Sequence, residues 1–460
     1  MRRTIPKQLR LFSPEVDHAL AEELAEVDTL LLLHPEWEEW IEEDLTRGVG
    51  KKRGRDGMPA GRVLRLHFLK HRLNVKVRRL AQLIPDSLGL RGFLGLGIED
   101  GTPKRSTIQE NMAKVRPETW GRILHSNVQS SELLELEPGK KARIDATVVK
   151  SNAHYPSDSS LLWDGVRTLT RLMKQAGALD PEVEFEDRSK RAKKRHFEIY
   201  WARKKDQRRP AYEALIAEAR RVDGEAEKVL TALEELEPRT TMEVDQCEGL
   251  VKELKHYRSL MARVIDQTER RVLRGEKVPA QEKLFSIFEE HTDMIVKSKN
   301  QPAEFGHKVT LSMGEHLILD CVIERGNPAD VTLAVRQVER LKSLFGEAPD
   351  VAMDGGYASE KNLREIRELG SRRCAFSKGR GLTPEEMAGS RRTYGRLRRF
   401  RAGIEGKISW LKRDFGLGRC TWKGWERFQS YVWSACFAAN LSKLARLRLA
   451  TETTAARSAA

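Results

Sequence analysis

The amino-acid sequence predicts a mixed α+β protein, in which a central sheet is interrupted by a long helical insertion and preceded by an all-helical region. Three observations predict this fold class. Apolar residues recur every three or four positions over much of 16–124, and the spacing changes to every second position at 142–149. Helical spacing returns over 161–274 before strands resume at 308–323.

These changes in period divide the chain into segments. The predicted segments are acidic N-terminal helices at 1–48, a basic helical domain at 49–135, a sheet domain at 136–160 and 291–430, a helical insertion at 161–290, and a C-terminal helix and tail at 431–460.

The net charge of the N-terminal third changes along the sequence from negative to positive. Residues 1–46 contain 12 acidic and 4 basic side chains, whereas residues 51–80 contain 1 acidic and 11 basic side chains. Short helices joined by tight turns in the basic segment predict a helix-turn-helix-like DNA-binding domain, although an ordinary helical bundle has the same periodicity. The candidate DNA contacts in this segment are Lys51, Lys52, Arg53, Arg78 and Arg79.

The overall composition narrows the classes of function. The chain has 460 residues, a formal net charge of +15 and a pI near 9.5, which indicates a polyanionic partner such as nucleic acid. Its five cysteines form no Cys-x-x-Cys pair, and neither a P-loop nor a His-Glu-x-x-His sequence occurs. No apolar run is long enough to cross a bilayer. We therefore expect an intracellular protein with no membrane partner, no disulfide framework and no zinc or nucleotide-hydrolysis chemistry.

Two acidic residues are associated with predicted strands. Asp145 lies in the middle of the alternating segment 142–149, whose even positions are apolar. Asp354 ends the short apolar strand 351–353 and is followed by two glycines. The carboxyl end of a strand is the usual location of function in open α/β sheets, so Asp354 is a candidate site residue.

A third acid lies on a long helix predicted over 391–415. Arg398, Arg401, Glu405 and Lys412 fall on one stripe of this helix, about 60° wide, beside the apolar stripe. A surface ladder of ion pairs would have the same pattern. Because Arg396 and Arg399 add positive charge without matching acids, we expect an anionic partner at this helix.

The order of these acids matches the RNase H-like plan. One acid lies in the first strand, a second ends a later strand, and a third lies on a closing helix. Three such carboxylates converge to hold two Mg²⁺ ions, for which hard oxygen ligands are suited. The sheet domain is thus predicted to be an RNase H-like catalytic domain.

Three blocks of the sequence resemble the signature blocks of DDE transposases of bacterial insertion sequences, closest to the ISNCY group. The blocks are IDATVVKSNAHYPSDSSLLWDGVR (144–167), MDGGYASEKN (353–362) and RAGIEGKISWLKRDFGLGR (401–419). In addition, VRRLAQLIPDSLGLRGFLGLG (77–97) is similar to the N-terminal helical domain of that group.

The resemblance implies roles for individual residues. It implies that Asp145, Asp354 and Glu405 form the catalytic, metal-binding triad for two Mg²⁺ ions, which Mn²⁺ can replace. Lys412 matches the basic position that contacts the transposon end. In the related Tyr-x-x-Arg-x-x-x-Glu-x(6)-Lys signature, Arg401 matches the arginine, but Arg398 stands at the tyrosine position. We include Arg398, Arg401 and Lys412 among the candidate DNA contacts.

The resulting hypothesis is a DNA transposase that hydrolyses phosphodiester bonds at transposon ends and transfers the 3′-OH into target DNA. Its implied partners are double-stranded DNA, as terminal inverted repeats and as target, and a second copy of the chain in the synaptic complex. Its implied location is the bacterial cytoplasm, in association with the nucleoid. Two alternatives are a structure-selective DNA nuclease on the same fold and a non-catalytic DNA-binding regulator.

Overall fold

The computed structural model describes residues 19–48, 57–133, 136–236, 240–296 and 302–459. The helices before the first strand are α1 (Ala19–Leu32), α2 (Pro35–Thr46), α3 (Ala60–Arg72), α4 (Val77–Asp86), α5 (Leu88–Phe93), α6 (Arg105–Lys114) and α7 (Pro117–Leu133). The later helices are α8 (Asp158–Leu179), α9 (Ser189–Trp201), α10 (Lys205–Glu235), α11 (Thr241–Thr268), α12 (Ala334–Phe345), α13 (Glu360–Glu368), α14 (Pro384–Ala388), α15 (Arg391–Asp414) and α16 (Trp425–Ala459). The strands are β1 (Lys141–Lys150), β2 (Asp293–Ile295), β3 (Glu304–Met313), β4 (Ile318–Ile323), β5 (Asp350–Met353) and β6 (Cys374–Phe376).

The sheet is mixed, with β1 in its interior. Strands β3, β1, β5 and β6 lie side by side in that order, and β4 pairs with β3. β1 is antiparallel to β3 and parallel to β5, and β5 is parallel to β6. A hairpin followed by parallel strands on the other side of β1 brings the middle of β1 and the carboxyl end of β5 to one region of the sheet.

The interior position of β1 changes the environment predicted for its polar face. The alternating sequence predicted one apolar and one polar face, and the apolar residues Ala142 and Ile144 are indeed fully buried. However, Arg143 and Thr147 of the polar face are buried as well. Because α15 packs against β1, this face is also covered and is not open to solvent.

A four-residue turn, 314–317, connects β3 to β4. In this turn the Gly314 amide donates to the Leu317 carbonyl over 2.9 Å. The buried Glu137 carboxylate accepts hydrogen bonds from the amides of Glu315, His316 and Leu317. One carboxylate therefore satisfies three amides of the turn.

The chain divides into two compact units. Unit 1 comprises the described residues up to Asn152 and from Gly306 onward, and unit 2 comprises Ala153–Phe305. In unit 1, α16 packs against α1, α3 and α7, and their apolar residues form one core with part of the sheet. The segments 1–48, 49–135 and 431–460, which the sequence separated, thus contribute to the same unit.

Unit 2 consists mainly of long helices with their own core. α8 packs against α9, α10 and α11, and buried residues such as Leu169, Leu215 and Met261 lie between them. A π-helical turn over Glu269–Leu273 extends α11. The unit is longer than the predicted insertion at 161–290, and it includes the short strand β2, which the sequence analysis did not predict.

Candidate active site

Asp145 lies near the middle of β1, where it is the register partner of Leu311 on β3. Only 19% of its side chain is exposed. Burial raises the pKa of Asp145 above its ordinary value, and the charge of Asp354 adds to this effect. A hydrogen bond from the Ala146 amide and the charge of Arg401 act in the opposite direction. Burial and the neighbouring cation thus act in opposite directions on the pKa of Asp145, and the effect of burial is the larger.

Asp354 directly follows β5, at the carboxyl end of that strand, and 47% of its side chain is exposed. The Ser377 hydroxyl, at the end of the parallel strand β6, donates to Asp354 Oδ1 over 2.6 Å. Burial acts to raise the pKa of Asp354. The hydrogen bonds from Ser377 and Gly355, with the charges of Arg401 and Lys378, nevertheless hold this pKa below its ordinary value.

Glu405 lies on α15, and its side chain is 72% exposed. The helix begins after Ser390, whose hydroxyl accepts a hydrogen bond from the third residue of the helix. Its buried stripe consists of Leu397, Ile404 and Leu411, as the spacing predicted. Because this stripe faces the sheet, Glu405 projects beside the sheet and remains accessible to solvent.

Two cations, the buried Arg143 and the half-buried Lys407, attach α15 to β1 and to the β3–β4 turn. Arg143 of β1 donates to the Phe400 carbonyl over 2.8 Å, and its guanidinium lies 4.6 Å from the centre of the Phe400 ring. Lys407 donates to the Glu315 carbonyl over 2.8 Å. Burial lowers the pKa of Lys407 to about 7. These contacts determine where α15, and with it Glu405, lies relative to the sheet.

The three carboxylates meet at one guanidinium, that of Arg401. Its Nη2 lies 3.0 Å from Asp145 Oδ2 and 3.5 Å from Asp354 Oδ1. Its Nη1 lies 3.3 Å from Glu405 Oε1. The Arg401 side chain is largely buried, and its Nε has no hydrogen-bond partner among the described residues. Acids that are 209 and 51 positions apart in sequence are thus brought to a single cation.

The chemistry of this cluster suits a divalent metal ion with oxygen ligands. Carboxylate oxygens are the preferred protein ligands of Mg²⁺. The hydroxyl of Tyr357 is buried within range of the charges of Asp145 and Asp354 and has no hydrogen-bond partner in the described part of the chain. Burial, followed by the charges of Asp330 and Asp145, raises its pKa. Among the described residues, no group of three or more histidine, cysteine, aspartate or glutamate side chains has the spacing of a formed metal site.

The remaining predicted site residues lie at several places. Arg398 is exposed on α15, and Lys412 is half-buried on the same helix. Arg78 and Arg79 are exposed in the first turn of α4. Lys51, Lys52 and Arg53 lie outside the described residues. Of the candidate DNA contacts in the described part of the chain, the structure brings Arg401 into the cluster of acids.

The sequence analysis missed Ser377 and Tyr357. Ser377 follows β6 as Asp354 follows β5, so the rule that function collects at the carboxyl ends of parallel strands could have indicated it. Tyr357 stands in the Asp-Gly-Gly-Tyr sequence already singled out for its acid. The 3-10 turn over Gly355–Tyr357 directs the Tyr357 ring into the core.

The mixed sheet has one carboxylate on an interior strand and a second at the end of the neighbouring parallel strand, and a third carboxylate lies on a helix that follows the last strand. This arrangement and the family match below define an RNase H-like enzyme of the nuclease and transposase class. Residues 289–441 match the family model described as Transposase DDE domain, and residues 16–114 match the model described as Transposase domain (DUF772). The chain therefore carries two transposase domains, and its function is that of a DNA transposase. No curated protein and no solved structure matches the chain significantly.

These matches confirm the predicted mixed α+β fold with an RNase H-like domain and an N-terminal helical region. Asp354 and Glu405 lie inside the DDE match, and Asp145 lies before it. DDE transposases are enzymes that bind DNA and depend on divalent metal ions. In the described part of the chain, no helix is both long and apolar enough to span a membrane.

Proposed function

We propose that this transposase cuts DNA at the terminal inverted repeats of its own insertion sequence and joins the freed 3′-OH to target DNA. Asp145, Asp354 and Glu405 are the catalytic residues in this proposal, and they hold two Mg²⁺ ions, for which Mn²⁺ can substitute. The element belongs nearest to the ISNCY group. The enzyme acts as a homodimer in the synaptic complex, on DNA in the bacterial cytoplasm and nucleoid.

One observation carries the proposal, namely the convergence of the three carboxylates on the Arg401 guanidinium. Three acids this close repel one another unless a cation lies among them. Arg401 supplies that cation in the structure, and a bound divalent ion would satisfy the same requirement with oxygen ligands of the preferred kind.

The residues of the chain have distinct tasks in this reaction. When bound, the metal ions supply activation of a water or 3′-hydroxyl and stabilisation of the leaving oxygen. Ser377 orients the Asp354 carboxylate through its short hydrogen bond. Arg398 and Lys412, on the same helix as Glu405, are proposed to offset phosphate charge.

The basic helical segment 49–135 is proposed as the DNA-binding domain. Arg78 and Arg79 are exposed in the first turn of α4, where the positive end of the helix dipole adds to their attraction for phosphate. Lys51, Lys52 and Arg53, which precede α3 in the sequence, are proposed as further phosphate contacts.

A plasmid excision and integration assay tests the proposal, using a donor plasmid that carries the gene with its native flanking DNA. Asp354→Asn removes a ligand charge and is expected to abolish excision while DNA binding stays equal or becomes tighter, because repulsion of phosphate is relieved. Glu368→Gln, an exposed acid on α13, is the matched control and is expected to excise normally.

Gel-shift titrations at two salt concentrations separate binding from cleavage. Replacing Arg78 and Arg79 by alanine should weaken binding and lower the salt slope by about 0.9 for each phosphate that these side chains neutralise. Excision without integration would favour a nuclease over a transposase. If Asp354→Asn changed no measurable activity, the catalytic role of the acidic cluster would be refuted, and a DNA-binding regulator would remain.

A further inference from the structure

Helix α9 in unit 2 presents an aromatic face to solvent. Phe197, Tyr200 and Trp201 are 45%, 68% and 73% exposed, respectively. The opposite side of the helix, which includes Ala192 and Ile199, is buried in the core of unit 2. Burying an exposed aromatic ring is favourable, so three of them on one short helix indicate a surface with a partner.

Lysines lie on the same face of α9. Lys190, Lys193 and Lys194 are exposed, and at about 100° per residue they share a stripe with Phe197 and Trp201. The ammonium of Lys193 lies 5.9 Å from the centre of the Phe197 ring, within the range of a cation–π contact. The face therefore combines aromatic rings with positive charge.

The charges of α9 are not equivalent. Arg191 pairs with Glu186, and Arg195 pairs with Glu198, so these two arginines already have acidic partners. In contrast, the three lysines have no acidic partner in the described part of the chain. A cation without a partner is available to an external anion, and the lysines give the aromatic face a net positive charge.

A shallow groove of about 480 Å³ adjoins this face and lies between α9 and α10. Trp201, Ala202 and the ion pair of Arg195 with Glu198 form one side, and Gln207, Pro210 and Ala211 form the other. Its volume lies within the range of about 300–1,000 Å³ that is typical of small-molecule pockets. The Trp201 ring stands nearly perpendicular to that of Tyr200, with their centres 5.1 Å apart. Because Trp201 is 73% exposed, its side chain is accessible to a planar ring of another molecule.

We propose that the α9 face, defined as Lys190, Lys193, Lys194, Phe197, Tyr200 and Trp201, binds DNA with unpaired bases. Aromatic side chains stack on exposed bases, while lysines along the same face contact the backbone phosphates. Paired bases in a duplex do not offer their faces, so this surface prefers single strands. Lysine is depleted from protein–protein interfaces, which disfavours a second copy of the chain as the partner.

Fluorescence anisotropy with the full-length protein tests this proposal. The probes are a labelled oligo-dT of about 16 nucleotides and a duplex of the same length. The double substitution Tyr200→Ala and Trp201→Ala is expected to weaken oligo-dT binding at least about tenfold, but duplex binding by less than about threefold. Trp201→Phe keeps an aromatic ring and should retain affinity within about threefold. Met242→Ala removes an exposed apolar side chain of α11 and should change neither affinity.

The lysines are tested by salt dependence. Replacing Lys190, Lys193 and Lys194 by glutamine should reduce the slope of log affinity against log salt by about 0.7 for each phosphate of the single strand that these lysines neutralise. Lys252→Gln, on the exposed side of α11, is the charge control and should leave the slope unchanged.

Three results would overturn the proposal. They are unchanged oligo-dT affinity in the aromatic variant, an equal decrease in affinity for duplex and single strand, and a decrease that sedimentation traces to a changed oligomeric state. The last result would identify the face as an interface between copies. Circular dichroism melting checks that the variants remain folded. Because oligo-dT binding requires no cleavage, the Asp354→Asn protein should bind it normally, which separates this test from that of the catalytic proposal.

Discussion

The shared guanidinium of Arg401 leads to a quantitative prediction for the variant Arg401→Gln. Glutamine is shorter and uncharged, so Asp145, Asp354 and Glu405 lose their common cation and repel one another. The protein without added metal is therefore expected to be less stable. Addition of Mg²⁺ should recover part of this stability, because a ligand that binds only the folded state stabilises that state.

The magnitude follows from the burial of each pair. The contact between Arg401 and Asp145 is the least exposed, and a hydrogen bond to a charged group contributes about 1.5–3 kcal/mol. The contact with the exposed Glu405 contributes about 0–1 kcal/mol. We therefore expect Arg401→Gln to reduce the free energy of unfolding by about 2–4 kcal/mol.

A double-mutant cycle with Asp145→Asn isolates the principal pair. Urea unfolding of the two single variants and the double variant, followed by circular dichroism, should give a coupling energy of about 1.5–3 kcal/mol. Arg398→Gln, three positions earlier on α15 and exposed, is the control and should show no coupling to Asp145. A coupling energy below about 0.5 kcal/mol would refute the view that Arg401 holds the cluster together.

Two further predictions concern stability. The pKa of Asp320 is lowered because hydrogen bonds from Arg340 and His125 outweigh the effect of burial. The ionised Asp320 side chain therefore stabilises the folded state above the unfolded pKa of about 3.9, and this stabilisation is lost as the pH falls through the lower folded pKa. In the Asp320→Asn variant, the melting temperature should fall less between about pH 6 and pH 2 than it does in the unmodified protein. An unchanged dependence of the melting temperature on pH would contradict this role of Asp320. Gly306→Ala places a Cβ against the backbone of Val149 and is expected to cost about 3 kcal/mol or more in urea unfolding, whereas Gly395→Ala on α15 meets nothing within 4 Å and should not destabilise. Equal stability of these two variants would contradict that reasoning.

The positions of the three acids could be predicted because each depends on a local pattern. The alternation around Asp145, the short strand before Asp354 and the helical stripe beside Glu405 are all visible within a few residues. The role of Arg401 is different in kind. Its spacing places it on the stripe of Glu405, but its contact with Asp145 joins residues 256 positions apart. The spacing of residues along a helix does not show whether the Arg401 side chain contacts Glu405 on its own helix, Asp145 on β1, or both.

The grouping of the helices could not be predicted for the same reason. An apolar stripe shows that a helix is buried on one side, but not which helix covers it. The packing of α16 against α1, α3 and α7 is a tertiary contact between the two ends of the chain. The polar contacts among these helices are also long-range, since the buried Glu23 accepts hydrogen bonds from Arg72, Ser442 and Arg446.

The register of β1 and β3 has a consequence for how the chain folds. Lys150, at the end of β1, is paired with Gly306 at the start of the paired part of β3, although all of unit 2 lies between them in sequence. Unit 2 itself brings its two ends together, because the rings of Tyr155 and Phe305 meet with their centres 5.1 Å apart. Closing a loop of this length in an unfolded chain costs entropy that grows with its logarithm. Once unit 2 has folded, its two ends are already close together, so pairing β1 with β3 becomes equivalent to closing a short hairpin.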